Sequence, residues 1–283
     1  MQQALLINDI QNFKGKYPKQ LWTLFMVEMW ERFCFYGMRG VITFFLVDKL
    51  LLNETNANLQ YGAIQAFVYA FTFIGGILAD KILGFKKSLM FGGIVMVFGN
   101  LLIAFAPSQM FYYGMAFSII GTGFFKPNIS SMVGELYHQN DARRDAGFAL
   151  FYAGINIGGL LGGALCIYLG KFYSWSWCFL LAAIVMVIGL ITFISTKHNL
   201  GTIGDSPLKN SAPSQKRIKE LLVYGASLLS IPLIFLMVKN TKYTDYFMYS
   251  IGLVAIIYFI YELIKLKEKQ VQNKFIAAFV FII

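Results

Sequence analysis

The chain has 283 residues, of which 58% are hydrophobic and only 13% charged, with a net charge of +10. An ordinary soluble domain is about 45–50% apolar and about 25% charged, so this composition, with a mean hydropathy of +0.62, excludes one. A signal peptide would confine the apolar residues to one run at the start; here the runs recur along the whole length, which predicts repeated insertion into a lipid bilayer.

A spanning helix needs about 20 mostly apolar residues. Taken in order, spans are predicted at 21–47, 61–80, 87–106, 109–134, 146–170 and 175–196, with two more at 220–238 and 246–264. Between the sixth and seventh, residues 198–217 carry Gly201, Gly204, Pro207 and Pro213 among Ser and Asn, a linker composition. The final run, Phe275 to Ile283, is too short at about 1.5 Å per residue to cross a core about 30 Å thick, and looks like the beginning of another span. The expected organisation is a six-helix bundle over 1–197, a cytoplasmic linker over 198–217, two additional helices within 218–267, and a connection plus the start of a further core helix over 268–283.

Lys and Arg set the orientation. Lys14, Lys16 and Lys19 precede span one, Lys81, Lys86 and Lys87 follow span two, and Arg143 and Arg144 follow span four. Lys197, Lys209, Lys216, Arg217 and Lys219 follow span six, and Lys265, Lys267, Lys269 and Lys274 follow span eight. The alternate loops hold only Lys49, Lys171, Lys239 and Lys242. This asymmetry puts the N-terminus in the cytoplasm. It also removes nucleic acid as a partner, because the charge is spread over alternate loops. Cys34, Cys166 and Cys178 all lie in apolar runs, match no metal-site or disulfide spacing, and read as small hydrophobes in helix packing.

Three cations and two carboxylates fall deep inside spans, away from their ends. An ionisable group near the bilayer centre costs about 2.5–3.5 kcal/mol on insertion scales, so these must face protein or a wet cavity. Span one carries Glu28, Glu31, Arg32 and Arg39, and helical spacing aligns Glu28, Arg32, Tyr36 and Arg39 on one face with Glu31 beside it. Span four adds Lys126, just before Pro127. Glu31, Tyr69, Lys126 and Asn156 lie about 9–11 residues into four different spans, a common depth of roughly 13–17 Å. Polar groups from several helices meeting near the midplane are the mark of a transporter binding site. One surplus positive charge remains there for an anionic group on a substrate, and a guanidinium such as that of Arg39 suits a carboxylate. Plainer readings exist: Arg39 and Lys126 can snorkel to the interfaces, Glu28 and Arg32 can form a structural ion pair, and Asn156 can join helices.

At these residues the chain resembles a known family. EMWERFCFYGMR, Glu28 to Arg39, is similar to the ExxERF…YG signature of the proton-dependent oligopeptide transporter (POT) family of the major facilitator superfamily. GTGFFKPNISS from Gly121 and FYAGINIG from Phe151 resemble that family's fourth and fifth helices, and GGILADKILGFKKS from Gly75 resembles the wider facilitator loop motif. The resemblance implies an all-α transmembrane fold: the N-terminal six-helix bundle of the major facilitator fold, two extra helices and the start of a seventh core helix. It implies proton-coupled symport of di- and tripeptides in a cell membrane, the inner membrane of a bacterium, with protons as coupling ion and no cofactor. Glu28, Glu31, Arg32 and Lys126 take the proton-coupling positions. Arg39, Tyr36, Tyr69, Lys126 and Asn156 take the peptide-binding positions, and Asp80 the gating position. The expected partners are small peptides, protons, the lipid bilayer and a C-terminal half of the same transporter, which this sequence lacks.

With a glutamate ionised, Arg32 and Lys126 are expected to be held by carboxylates; protonation then frees Lys126 or Arg39 for the peptide carboxylate. The family often has two tyrosines before the glycine where this chain has Phe35-Tyr36, so one pocket hydroxyl is absent. The alternatives are a nitrate or small-anion transporter of the same family and a non-transporting membrane receptor. An intramembrane enzyme has little to work with, since His138 and His198 fall outside the spans and there is no HExxH.

Overall fold

The computed structural model describes residues 7–210 and 212–265, and the described chain is almost entirely helical. A short helix α1 (Ile7–Gln11) precedes six long ones: α2 (Lys19–Asp48), α3 (Glu54–Leu78), α4 (Phe85–Phe105), α5 (Pro107–Glu135), α6 (Arg144–Phe172) and α7 (Trp175–Thr196). Then come α8 (Pro213–Leu229), α9 (Ile231–Lys239) and α10 (Thr241–Lys265). A π-helical turn, Ala79–Leu83, links α3 to α4, and 3₁₀ turns occupy Lys197–Leu200 and Pro207–Asn210.

The boundaries follow from local chemistry. Asn53 caps α3, its side chain accepting the Asn56 N–H at 2.8 Å. Ser174 caps α7 in the same way. Pro107 and Pro213 open α5 and α8, where a missing N–H costs nothing. Among the described residues, five helical stretches are long and apolar enough to cross a membrane: Glu54–Leu83, Phe85–Phe105, Arg144–Phe172, Trp175–Leu200 and Pro213–Lys239. At 30 and 29 residues, α2 and α5 match them in length, but they bury polar side chains as well as apolar ones.

Helix α2 packs chiefly on α6 and α7, and α4 on α5 and α7. With lipid tails as apolar as leucine, membrane helices associate best where small residues let backbones approach. The α2–α6 seam uses Gly158 and Gly162 of α6, which lie against the carbonyls of Met29 and Phe33. The α4–α5 seam pairs Gly92 with Gly121 and Gly99 with Gly114; any Cβ there would meet the facing carbonyl. Pro127 inside α5 leaves the carbonyl of Gly123 without its helical donor, and Gly75 of α3 packs directly on it.

The basic end is tied together by side chains. Arg143 donates to both oxygens of Asp141, at 2.9 Å and 2.7 Å, and to the carbonyls of Phe13 and Gly15. The bonds from Arg143 pull the Asp141 carboxyl down to about 2. The chain entering α2 is thereby fastened to the α5–α6 connection.

The region read as a linker is more ordered than its composition suggests. Leu200 and Ile203 are fully buried. Lys86 N–H donates to the Gly204 carbonyl at 3.0 Å, Ser206 Oγ to the Ile82 carbonyl at 2.7 Å, and Gly204 N–H to Glu135 Oε2 at 3.1 Å. Gly84 (φ +77) and Gly204 (φ +72) adopt left-handed backbone so that the two turns interlock. The span expected at 220–238 starts earlier, at Pro213, and breaks at Ser230, just before Pro232. The chain divides into compact units at Lys239/Asn240, not at 217/218, so α8 and α9 belong with the six long helices. In the second unit, α10 is one 25-residue helix. The helix start expected over 268–283 lies outside the described residues.

Candidate functional site

The ionisable residues of α2 lie deep inside the first unit. Glu28, Glu31 and Arg32 are 2%, 0% and 1% exposed. Arg32 Nε is 2.8 Å from Glu28 Oε1 and 2.6 Å from Glu31 Oε2. Its Cζ lies 5.2 Å from the centre of the Phe35 ring. Gly158 of α6 sits against Met29 and the Cβ of Arg32, so the α2–α6 seam closes directly over the triad. The helix spacing i,i+4 brings Glu28 to Arg32, while Glu31 reaches it from the adjacent position.

The approach is close, but the N–H directions are poor. Glu28 Oε2, both oxygens of Glu31, and Nε and Nη2 of Arg32 are buried without a hydrogen-bond partner. Breaking a buried ion pair by removing one partner typically costs about 3–5 kcal/mol. With both acids ionised the three side chains carry one net negative charge, which a single proton would neutralise. Among the described residues, the other buried acid is Glu220, which pairs with Lys87 on a different part of the unit. A proton gained at the triad therefore lands on Glu28 or Glu31.

Lys126 does not join the triad. It is half-buried on α5, with Nζ 5.2 Å from the centre of the Tyr69 ring. Among the described residues no carboxylate comes within ion-pair distance of it. It remains in electrostatic range of Arg32, Glu31, Glu28 and Arg39. The expected pairing of Lys126 with a glutamate is therefore not the arrangement seen. Arg32 reaches both carboxylates from their own helix, and the face of Tyr69 takes the ammonium instead.

Arg39 is half-buried two turns further along α2. Its Nε donates to Tyr61 Oη at 2.7 Å, and its Cζ lies 5.9 Å from the centre of the Tyr36 ring. Tyr36 lies over Gly159 of α6, where a Cβ would sit 3.0 Å from its Cδ2. Asn156 is exposed one turn earlier on α6, and Tyr69 is exposed on α3. The sequence reading did not single out Tyr61, although it lies two turns before Tyr69 on α3 and so on the same helical face. Asp80 stands apart, exposed in the π-helical turn at the basic end.

The arrangement thus has three parts. A buried acid–guanidinium triad can take up a proton. Two cations, Lys126 and Arg39, are held by aromatic rings and a tyrosine hydroxyl rather than by carboxylates. Around them, Tyr36, Tyr69 and Asn156 offer hydrogen-bonding groups on an open surface of the bundle. No enclosed chamber is needed for these residues to meet a ligand, since Tyr69 and Asn156 are already exposed.

The chain is similar to known proteins over most of its length. The model of the family described as "POT family" matches residues 86–282. An uncharacterized transporter, YclF, of Bacillus subtilis (strain 168) is 36% identical over 274 residues, covering 93% of this chain and 55% of its own length. Dipeptide and tripeptide permease B of Photorhabdus luminescens is 29% identical over 268 residues, covering 93% and 54%. The crystal structure of a peptide transporter POT in complex with sulfate superposes with a TM-score of 0.78 at 30% identity, over 97% of this chain and 59% of that one. A POT family transporter in complex with 5-aminolevulinic acid superposes with a TM-score of 0.75 at 29% identity, over 92% and 55%. The chain spans about half the length of the curated relatives it matches.

Proposed function

The chain belongs to the POT family, and from that premise we propose that it forms the proton-coupling half of a symporter that carries di- and tripeptides across a membrane. A second six-helix half completes the substrate path. Arg39 and Lys126 receive the peptide carboxylate, and Tyr36, Tyr69 and Asn156 contact its backbone. Proton entry at Glu31 or Glu28 loosens the hold on Arg32 and changes the field felt by Lys126 and Arg39. Peptide binding and the rocking of the two halves follow. Asp80, at the basic end, acts in gating rather than binding. The basic end faces the cytoplasm, in keeping with the distribution of Lys and Arg, and the membrane is the inner membrane of a bacterium.

The observation that carries this reading is the unequal treatment of the charges. One guanidinium lies within 3 Å of both acids, whereas two further cations, Lys126 and Arg39, have no carboxylate partner among the described residues. That surplus fits a carboxylate-bearing guest. It would also fit nitrate, but the curated relatives include dipeptide and tripeptide permeases, which favours the peptide. The test is uptake of a labelled dipeptide into vesicles under an inward proton gradient, with this chain joined to its second half. Unlabelled dipeptide is expected to compete and nitrate to leave uptake unchanged. Competition by nitrate alone would overturn the peptide reading.

A further inference from the structure

A second concave feature lies away from the triad, at the basic end of the first unit. A cavity of about 830 Å³ opens between the start of α4, the 197–209 segment and α8. This is within the size range of small-molecule sites, about 300–1,000 Å³. One side is cationic: Lys86, Lys87, Lys197, Lys209 and Lys216 all line it. The other side is apolar and aromatic, made of Met90, Phe91, Ile94 and Tyr224. The rings of Phe91 and Tyr224 pack at 4.7 Å, joining α4 to α8 behind the cavity.

The charges do not cancel within the wall. Lys86 Nζ pairs with Asp205 at 2.9 Å, and Lys209 shares the same carboxylate at 3.4 Å. Lys87 pairs with Glu220 at 2.6 Å. Among the described residues, Lys197 and Lys216 are left with no ion-pair partner. The wall that presents them is firmly built. Lys86 Nζ donates to the Gly201 carbonyl, and the Gly84 and Gly204 turns interlock beneath it.

Position decides what such a wall can bind. Phe85 begins a membrane-crossing stretch, so Lys87, Phe91 and Ile94, at i, i+4 and i+7, run along one face of α4 from the polar end into the apolar zone. Ile94 is 55% exposed. A ligand filling this space meets ammonium groups at one end and a lipid-facing apolar strip at the other. A free phosphate ion would use only the first part.

We propose that this cavity is a binding site for an anionic phospholipid, with the headgroup phosphate between Lys197 and Lys216 and an acyl chain along Phe91 and Ile94. Basic pockets between membrane helices recognise such headgroups. The lipid joins α4 to α8 across the ordered 197–209 segment.

The test is native mass spectrometry of the purified protein in detergent with added dioleoyl phosphatidylglycerol or dioleoyl phosphatidylcholine. Each lysine near a headgroup contributes a modest attraction, so Lys197→Gln with Lys216→Gln is expected to weaken retention of phosphatidylglycerol about 30-fold. Lys14→Gln with Lys16→Gln, the same charge loss on the N-terminal arm, is expected to leave retention unchanged. Lys197→Arg with Lys216→Arg is expected to preserve it, which separates lost charge from lost folding. An equal fall in both glutamine pairs, loss of retention in the arginine pair, equal retention of the two lipids by the unaltered protein, or displacement of phosphatidylglycerol by millimolar inorganic phosphate would each overturn the proposal.

Discussion

Gly158 and Gly163 of α6 give a sharp test of the helix seam that closes over the buried charges. At Gly158 an added Cβ would fall on the carbonyl of Met29, 3.0 Å from its carbon and 3.1 Å from the Cβ of Arg32. Those atoms belong to the backbone and the first side-chain carbon of a regular helix, so they cannot swing away. At Gly163 the same atom meets nothing within 4 Å. Both changes to alanine gain about 0.5–1 kcal/mol of helix preference. Only Gly158→Ala carries the overpacking cost, about 1–3 kcal/mol. The helix term cancels between the two variants, so the difference between them is the packing cost alone. At about 2–4 °C per kcal/mol for a chain of this size, Gly158→Ala is expected to melt roughly 2–12 °C below Gly163→Ala. Thermal unfolding of the purified protein in detergent measures it. Equal melting temperatures, or a lower one for Gly163→Ala, would refute the close α2–α6 contact.

The buried triad and the basic end each add an expected outcome. Arg32→Met strands two carboxylates and is expected to destabilise the fold by about 3–5 kcal/mol. Adding Glu28→Gln and Glu31→Gln to Arg32→Met is expected to restore most of the loss, as read by the melting temperature; no rescue would mean that Arg32 acts through packing alone. Asp141→Asn is expected to free the arm leading into α2 and speed tryptic cleavage after Lys14 and Lys16. Because the Asp141 carboxyl titrates at about 2 in the folded chain, below the ordinary value of about 3.9, its contribution is complete above about pH 4 and disappears as pH falls through about 2. Cleavage by pepsin at Phe13 across that window is expected to accelerate in the unaltered protein and to change little in Asp141→Asn.

Hydropathy made most of the long helices legible, because α3, α4, α6 and α7 each hold a run of apolar residues long enough to cross a bilayer. Span one was legible by its charges: Glu28, Glu31 and Arg32 had to be covered, and α6 covers them. The partner of each remaining cation left no such mark. Lys126 reaches an aromatic face rather than a carboxylate, a choice made by side-chain direction between α3 and α5. The Arg39–Tyr61 bond joins two helices whose relative rotation no periodicity reveals, although the two-turn spacing of Tyr61 and Tyr69 marked the face. The 197–210 segment reads as loose because of its Gly and Pro residues. Its order comes from non-local bonds to Ile82, Lys86 and Glu135, and the positive φ of Gly84 and Gly204 is what allows them. Pro232 did carry a local signal for the break between α8 and α9.

The coupling role of the buried acids is tested most directly by Glu31→Gln in a transporter that carries both halves, comparing two assays on the same vesicles. Exchange of labelled for unlabelled dipeptide with no proton gradient is expected to persist, since the binding cations are untouched. Accumulation against a dipeptide gradient, driven by protons, is expected to be lost. Undiminished proton-driven accumulation in Glu31→Gln would contradict proton coupling through this carboxylate.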